Sequence, residues 1–242
     1  MPTTWYEARV SRIENATPNV RRFFLEVLHA TPLAFEAGQF ITLDLPIGEK
    51  RLQRWRSYSI ASAPSDRPEL ELCIVRSESG EGTRYLFEEV RAGSILRFKG
   101  PDGAFVLPPN LQDRDLVMIC TGTGVAPFRS MLRELFARQL PYRRAHLIFG
   151  ARTKADILYR KEFEQYAAEH PGFRYDVALS RQPDWSGYKG YVHQIYLEQY
   201  AGKRPDVLFL ICGWTNMIDD AVAHLVAELG YAPNQVKYEL YG

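Results

Sequence analysis

A glycine-rich turn in the second half of the chain joins an apolar run to a segment of helical period. Residues 116–120 are the apolar run, and Gly122-Thr-Gly-Val-Ala-Pro127 follows it. A strand that passes through glycines into a helix exposes backbone N–H groups at the positive end of the helix, where a pyrophosphate can approach closely. Pro127 stands where the dinucleotide fingerprint G-x-G-x-x-G has its third glycine. Taken alone, the motif indicates either a phosphate site or an ordinary tight turn.

A second candidate group, Arg56-Ser57-Tyr58-Ser59, lies in the first half of the chain. Alternation along a strand places Arg56 and Tyr58 on one face and the two serines on the other, unless the strand twists or bulges. A guanidinium and an aromatic ring on one face suit a phosphate and a flat heterocycle. The same pattern also occurs on the exterior of a barrel without any binding role.

Two kinds of periodicity divide the chain into two predicted domains, 1–108 and 109–242. Short β-rich segments separated by Gly, Pro, Asn or Asp predict a β domain, either a sandwich or a barrel, in the first half. After the Pro-rich segment 107–115, apolar runs alternate with helical segments, which predicts a five-stranded parallel sheet. The fold class is therefore β + α/β. The predicted strands are 5–13, 20–27, 39–45, 56–61, 69–76 and 94–99, then 116–120, 145–149, 173–179, 207–212 and 235–240; the predicted helices are 83–90, 127–138, 161–169, 192–200 and 216–229.

Composition argues against several classes of protein. The 242 residues include 30 basic and 29 acidic side chains, so the chain lacks the basic excess of a nucleic-acid binder. Its apolar runs are shorter than the roughly 20 residues of a membrane-spanning helix, and no signal peptide is visible, so we expect a cytoplasmic protein without membrane association. Three cysteines without CxxC spacing predict neither a disulfide framework nor a metal site, nor an iron–sulfur cluster of the chain's own.

Five motifs occur in the order that one protein family shows, and together they are far more specific than any one of them. The chain resembles the ferredoxin–NADP⁺ reductase superfamily over nearly its whole length. The resemblance implies that the first domain is an antiparallel β-barrel that binds FAD, that the parallel sheet binds NADP(H), and that the flavin lies between the two domains. The motifs are Arg56-Ser-Tyr-Ser, Val75-Arg-Ser-Glu-Ser-Gly80-Glu-Gly82-Thr83, Gly100-Pro-Asp-Gly-Ala-Phe105, Gly122-Thr-Gly-Val-Ala-Pro127 and Cys212-Gly-Trp-Thr-Asn-Met217.

The resemblance also assigns roles to residues that would hold FAD. It implies that Arg56 meets the FAD phosphates, that Tyr58 packs against the isoalloxazine and that Ser59 hydrogen-bonds near flavin N5. The turn at residues 80–83 would receive the pyrophosphate. The implied FAD set is Arg56, Ser57, Tyr58, Ser59, Leu72, Cys73, Ile74, Val75, Arg76, Gly80, Glu81, Gly82, Thr83, Thr123 and Tyr241.

The implied catalytic residues are Ser59, Cys212, Glu239 and Tyr241. Cys212 either aligns the nicotinamide or is a small core residue, and Tyr241 either covers the flavin face or is an exposed residue of the last strand. No metal ligand is expected.

A 2′-phosphate site and an adenine platform are implied in the second domain. Ser180, Arg181 and Lys189 would surround the 2′-phosphate, and Tyr191 would stack on adenine, which favours NADPH. NADH-using oxygenase reductases share part of this pattern, so NADH stays open. The implied NADP set is Gly122, Thr123, Gly124, Ala151, Arg152, Ser180, Arg181, Lys189, Tyr191, Cys212, Gly213 and Met217.

These expectations describe a monomeric, FAD-dependent oxidoreductase. It moves a hydride between NADPH and flavin and passes single electrons to or from ferredoxin or flavodoxin. One alternative is an NAD(P)H–flavin reductase or the reductase component of an oxygenase. A non-catalytic electron relay is disfavoured because the nucleotide motifs are intact. A plain nucleotide-binding module would leave residues 56–59 and 80–83 unexplained.

Overall fold

A computed structural model describes residues 4–28, 33–65 and 69–240 of the chain, which divides into two compact units. Unit 1 comprises Met1–Leu107 and Ala126–Gln139, and unit 2 comprises Pro108–Val125 and Leu140–Gly242. The border after Leu107 lies one residue before the expected domain border. The expected domains and the observed units differ in one helix. The helix after the glycine turn lies in the expected second domain but belongs to unit 1 from Ala126 onward.

Unit 1 is an antiparallel barrel of six strands in the order β4-β3-β6-β1-β2-β5. An isolated antiparallel bridge between Ile60 and Leu72 joins the two edges and closes the sheet. Phe23, Ile41 and Phe98 are fully buried in its core. The elements are β1 (Trp5–Thr17), β2 (Val20–Val27), β3 (Phe40–Asp44), α1 (Arg51–Arg54), β4 (Trp55–Ser59), β5 (Glu69–Val75), α2 (Glu81–Glu88), β6 (Ile95–Asp102) and α3 (Val125–Ala137).

Unit 2 is a parallel six-stranded sheet in the order β10-β9-β8-β7-β11-β12. The chain moves outward from β7 through β8 and β9 to β10 and then returns to the other side of β7 for β11. The strand order therefore reverses between β7 and β11, and ligands of such sheets bind outside the carboxyl ends at this point. The elements are β7 (Asp115–Thr121), β8 (Arg144–Ala151), α4 (Arg160–Glu169), β9 (Phe173–Leu179), β10 (Tyr188–Lys189), α5 (His193–Gln199), β11 (Val207–Gly213), α6 (Thr215–Val222) and β12 (Val236–Leu240).

The predicted barrel followed by a parallel sheet is confirmed, and all five predicted parallel strands are present. The structure adds a sixth, β10, whose two residues are too few to show a period. The helical segment predicted at 216–229 divides into α6 and a π-helical turn, Ala223–Glu228. Periodicity thus located the elements, while these local departures depend on tertiary contacts.

A buried histidine connects β8, β9 and the residue after α5. His146 Nδ1 lies 2.8 Å from the Tyr200 hydroxyl, and Nε2 lies 3.0 Å from Asp176 Oδ2. Burial, helped by Arg174, lowers the pKa of His146 although the hydrogen bond to the Asp176 carboxylate opposes this shift. The imidazole is therefore held in its neutral form at neutral pH.

Because the pKa of His146 is lower in the folded than in the unfolded chain, unfolding takes up a proton as the pH falls below about 6.5. We expect the free energy of unfolding to decrease by up to about 1.4 kcal/mol per pH unit there from this residue. His146→Gln should be less stable at pH 7 but show a flatter profile. Urea unfolding at pH 7.5, 6.5 and 5.5 measures this, with His170→Gln, a partly exposed site, as the control. An unchanged slope in His146→Gln would contradict the assignment.

Candidate functional site

The two edge strands of unit 1 bring two predicted FAD segments opposite each other. The Ile60–Leu72 bridge is antiparallel, so residues 56–59 of β4 and residues 73–76 extend away from it side by side. An edge strand presents backbone N–H and C=O groups to whatever lies beside it. Both sides of this opening can therefore hold a ligand through the backbone.

Arg56 lies over the first turn of α2. Its Nη1 donates to the carbonyls of Leu52 (3.1 Å) and Trp55 (2.8 Å), and a Cβ on Gly82 would come within 2.9 Å of Arg56 Cγ. Thr83 Oγ1 donates to the carbonyl of Gly80 at 3.1 Å and so orders the turn. The structure thus joins two segments that are separate in the sequence. A guanidinium beside a helix N-terminus forms a site for an anion such as a pyrophosphate.

The other residues of β4 have different surroundings. Ser57 is exposed, and its hydroxyl lies 3.0 Å from Thr42 Oγ1, whereas Ser59 is buried at the barrel closure. Tyr58 packs against the barrel core, and burial raises the pKa of its hydroxyl despite the opposing charge of Arg56. The hydroxyl therefore stays protonated and able to donate at neutral pH. On β5, Leu72, Cys73 and Ile74 are buried, Val75 is partly exposed, and Arg76 beyond it is exposed.

In unit 2, the glycine turn meets the end of β11 at the point where the strand order reverses. A Cβ on Gly124 would lie 2.3 Å from the Cys212 carbonyl oxygen and 2.9 Å from the Gly213 Cα. A Cβ on Gly213 would lie 2.5 Å from Thr121 Oγ1 and 2.7 Å from Met217 Cε. Side chains at these two positions would push the turn away from the strand. The glycines therefore bring two backbone segments together at the ligand-binding edge of the sheet.

The turn at residues 122–124 lies at the same carboxyl edge of the unit 2 sheet. Gly122 has φ +54°, which lies in the left-handed region that favours glycine. Thr123 is partly exposed between the two glycines. The predicted motif therefore lies at the switch point of the sheet, as a nucleotide site requires.

Three cations gather at the neighbouring strand ends. The Ser180 amide donates to the Ala151 carbonyl at 3.1 Å, and the Arg181 amide donates to the Arg152 carbonyl at 2.8 Å. Lys189 ends β10 and lies in register with Leu179, the last residue of β9. The side chains of Arg152, Arg181 and Lys189 are all exposed. The carboxyl ends of β8, β9 and β10 thus form a positive edge.

An exposed aromatic ring stands beside this edge. Tyr191 is 66% exposed, and its ring centroid lies 5.6 Å from that of His193. With His193 behind it, the ring is placed to stack on a planar group.

The predicted catalytic residues divide between the units. Cys212 is completely buried at the end of β11 and lies in register with Glu239 on β12, which is partly exposed. Ser59 belongs to unit 1. Tyr241 lies outside the described residues.

Sequence reasoning missed Thr121 and Gly150. A Cβ on Gly150 would come within 2.9 Å of Thr121 Cγ2 and 2.7 Å of Val192 Cγ1. Thr121 Oγ1 in turn accepts a hydrogen bond from the amide of Trp214 at 3.5 Å. Glycine directly after the apolar run 145–149 was the signal that could have found this contact. These residues set the spacing of the strand ends around the turn.

Within the part of the chain that the structure describes, three or more His, Cys, Asp or Glu side chains nowhere gather as a metal site would need. None of the described helices is long and apolar enough to span a membrane.

Comparisons with known proteins agree with this geometry. Residues 7–107 match the family model of the oxidoreductase FAD-binding domain, and residues 118–223 match that of the oxidoreductase NAD-binding domain. The chain is 38% identical to ferredoxin–NADP reductase B of Sorangium cellulosum, covering 98% of this chain and 97% of that protein. It is 31% identical to the reductase component DmpP of a phenol 2-monooxygenase from a Pseudomonas species, covering 93% of this chain but 62% of that protein.

A solved structure also matches over its whole length. A ferredoxin NADP⁺ reductase from Neisseria gonorrhoeae with bound FAD and NADP has a TM-score of 0.83, 26% identity and full coverage of both chains. The predicted FAD-binding and NAD(P)-binding domains are confirmed by these matches. The opening between β4 and β5, with Arg56 at the start of α2, suits FAD because it offers two strand edges and a cation beside a helix N-terminus.

Gly82→Ala should weaken FAD binding. The added methyl would displace the stem of Arg56 from the start of α2, and loss of a charge-assisted contact costs about 1.5–3 kcal/mol, or roughly ten- to a hundredfold in affinity. Fluorescence titration of the FAD-free protein measures the dissociation constant. Gly202→Ala is the control, because a Cβ there would meet no described atom within 4 Å. Equal FAD affinity in Gly82→Ala and wild type would show that Arg56 does not hold the cofactor.

Proposed function

This chain belongs to the ferredoxin–NADP⁺ reductase superfamily of FAD-dependent oxidoreductases, and we propose that it moves electrons between NADPH and ferredoxin or flavodoxin. The observation that carries the choice of NADPH is the positive edge formed by Arg152, Arg181 and Lys189 at the ends of β8, β9 and β10. A 2′-phosphate is the group that distinguishes NADPH from NADH, and a guanidinium can bind it through two parallel hydrogen bonds. We also propose domains at 1–108 and 109–242 and a monomeric state.

The flavin side of the site is provided by β4, β5 and α2. Arg56 and the turn at residues 80–83 hold the FAD phosphates, and Tyr58 contacts the isoalloxazine. Ser59 donates or accepts a hydrogen bond near flavin N5. Backbone groups of residues 72–76 line the other side. When bound, the flavin exchanges a hydride with nicotinamide and single electrons with a carrier protein.

The nucleotide side is provided by the strand ends of unit 2. The turn at residues 122–124 receives the pyrophosphate and nicotinamide half of the nucleotide, and Tyr191 stacks on adenine. Cys212 orients the nicotinamide, supported by its position where Gly124 touches the end of β11. Glu239, beside Cys212 in register, exchanges protons with the surroundings, and Tyr241 covers the flavin face when the nucleotide is absent.

A second candidate acceptor is an oxygenase component. The 31% identity to a phenol 2-monooxygenase reductase favours it, although this chain covers 62% of that protein. Hydride transfer would be the same, and the electrons would leave to a different partner.

The acceptor is tested by steady-state turnover of the FAD-loaded protein with NADPH as the donor. We expect a [2Fe–2S] ferredoxin or a flavodoxin, followed by cytochrome c reduction, to be a better acceptor than free FMN. The 38% identity to a ferredoxin–NADP reductase over nearly its full length favours a carrier protein as the acceptor. Fast reduction of free FMN together with loss of FAD on purification would instead assign a flavin reductase.

Arg181→Ala should separate the two nucleotides. Removing one charged hydrogen-bonding partner costs about 1.5–3 kcal/mol, so the KM for NADPH should rise roughly ten- to a hundredfold while turnover with NADH stays nearly unchanged. Arg174→Ala, near the other end of β9, is the matched control. If Arg181→Ala weakens both nucleotides equally, or if the wild-type protein prefers NADH, the NADPH assignment is wrong.

A further inference from the structure

Unit 1 contains a buried carboxylate shared by two arginines. Glu71 is 3% exposed, with Oε1 lying 2.6 Å from Arg22 Nε and Oε2 lying 2.7 Å from Arg129 Nη1. Arg129 is itself only 4% exposed. Burying charged groups is costly even when they are paired, and apolar residues of the same volume often serve stability as well or better. The pair is therefore poorly explained as a device for stability alone.

Arg129, its neighbour Ser130 and Glu71 also fix residues 61–62, which follow β4, the strand of the proposed flavin contacts. Arg129 Nη1 donates to the Ala61 carbonyl at 2.9 Å, and the Ser130 hydroxyl donates to the Ser62 carbonyl at 2.6 Å. On the other side, the Ala61 amide donates to the Glu71 carbonyl at 2.8 Å, and the Glu71 amide donates to Ser62 Oγ at 3.1 Å. Residues 61–62 are thus fixed between β5 and α3.

The contacts of Arg129 and Glu71 with residues 61–62 lie close in sequence to two proposed functional segments, Ser59 and the turn at residues 122–124. Ala61 follows Ser59 by two residues, and the Ile60–Leu72 bridge lies between them. Helix α3, which carries Arg129, begins at Val125 directly after Gly124 of the nucleotide turn. A shift of Arg129 would therefore displace the residues that follow β4. Because Arg129 belongs to α3, it would also displace the start of that helix.

We propose that Arg129, held by Glu71, is a positioning residue for hydride transfer. The inference rests on the proposed function, since it presumes that Ser59 and residues 122–124 address the two reacting rings. In this proposal Arg129 acts indirectly, through the Ala61 carbonyl and the Glu71 carboxylate. It fixes the exit of β4 through the Ala61 carbonyl, and Glu71 fixes the guanidinium. Small errors in the placement of reacting groups lower the rate of transfer without abolishing binding.

The test is stopped-flow reduction at saturating NADPH, expressed per bound FAD, in wild type, Arg129→Met and Arg129→Lys. Met fills a similar volume without donors, so we expect the limiting rate to fall by about tenfold or more while the dissociation constants of FAD and NADP⁺ change less than about twofold. Lys retains a charged donor and should recover most of the rate. Arg138→Met is the control, because Arg138 directly follows α3, is exposed and forms a local i,i+4 ion pair with Glu134.

If Arg129→Met does not bind FAD, a second variant tests the inference. Glu71→Gln preserves shape and an acceptor oxygen but removes the charge, and we expect its limiting rate to fall by about threefold or more. The double variant should be no slower than Arg129→Met alone, because the two residues act as a unit. A wild-type rate in either FAD-loaded single variant overturns the inference, as does a loss that Lys does not relieve. Failure of NADPH to reduce the wild-type flavin would instead refute the proposed function.

Discussion

The turn at residues 122–124 lies so close to the end of β11 that a Cβ on Gly124 would come within 2.3 Å of the Cys212 carbonyl oxygen. Glycine thus lets the turn after β7 pack directly against the end of β11, its paired neighbour, where the strand order reverses. The neighbouring strand ends follow the sheet outward, and Arg152, Arg181 and Lys189 occur along them in sequence. In the proposed assignment, the nucleotide extends along these strand ends from the glycine turn to the three cations.

In unit 1 the candidate binding site lies on an antiparallel barrel. Its sheet closes at the Ile60–Leu72 bridge, and the strands beyond the bridge keep edges that can bind a cofactor. Gly82 in unit 1 resembles Gly124 in unit 2, because each glycine permits a close contact that a side chain would block. At Gly82 the contact is with Arg56, which thereby reaches the start of α2. In both units a glycine shapes a candidate anion site at the start of a helix: beside Arg56 and α2 in unit 1, and at the turn before α3 in unit 2. The two sites share this chemistry although their folds differ.

The sequence carried enough information for the elements and for the glycine and arginine motifs, because both are local patterns. Apolar periodicity located five strands of unit 2, and the motif at residues 122–127 lies at the switch point that a parallel sheet requires. The Glu71–Arg129 pair could not be predicted, since its partners lie 58 residues apart and show no pattern of their own. The Thr121–Gly150 contact also joins distant segments, and the glycine after the apolar run 145–149 was the local signal for it. Close approaches between distant segments emerge only when the chain is folded.

The central claim is that NADPH reduces a flavin held by this chain. Its most direct test is anaerobic titration of the FAD-loaded protein with NADPH and, separately, NADH, followed through the visible absorbance of the flavin. The account predicts that NADPH bleaches the flavin at one equivalent per FAD and does so faster than NADH. A protein that binds no FAD, or a bound flavin whose absorbance NADPH leaves unchanged, would contradict it.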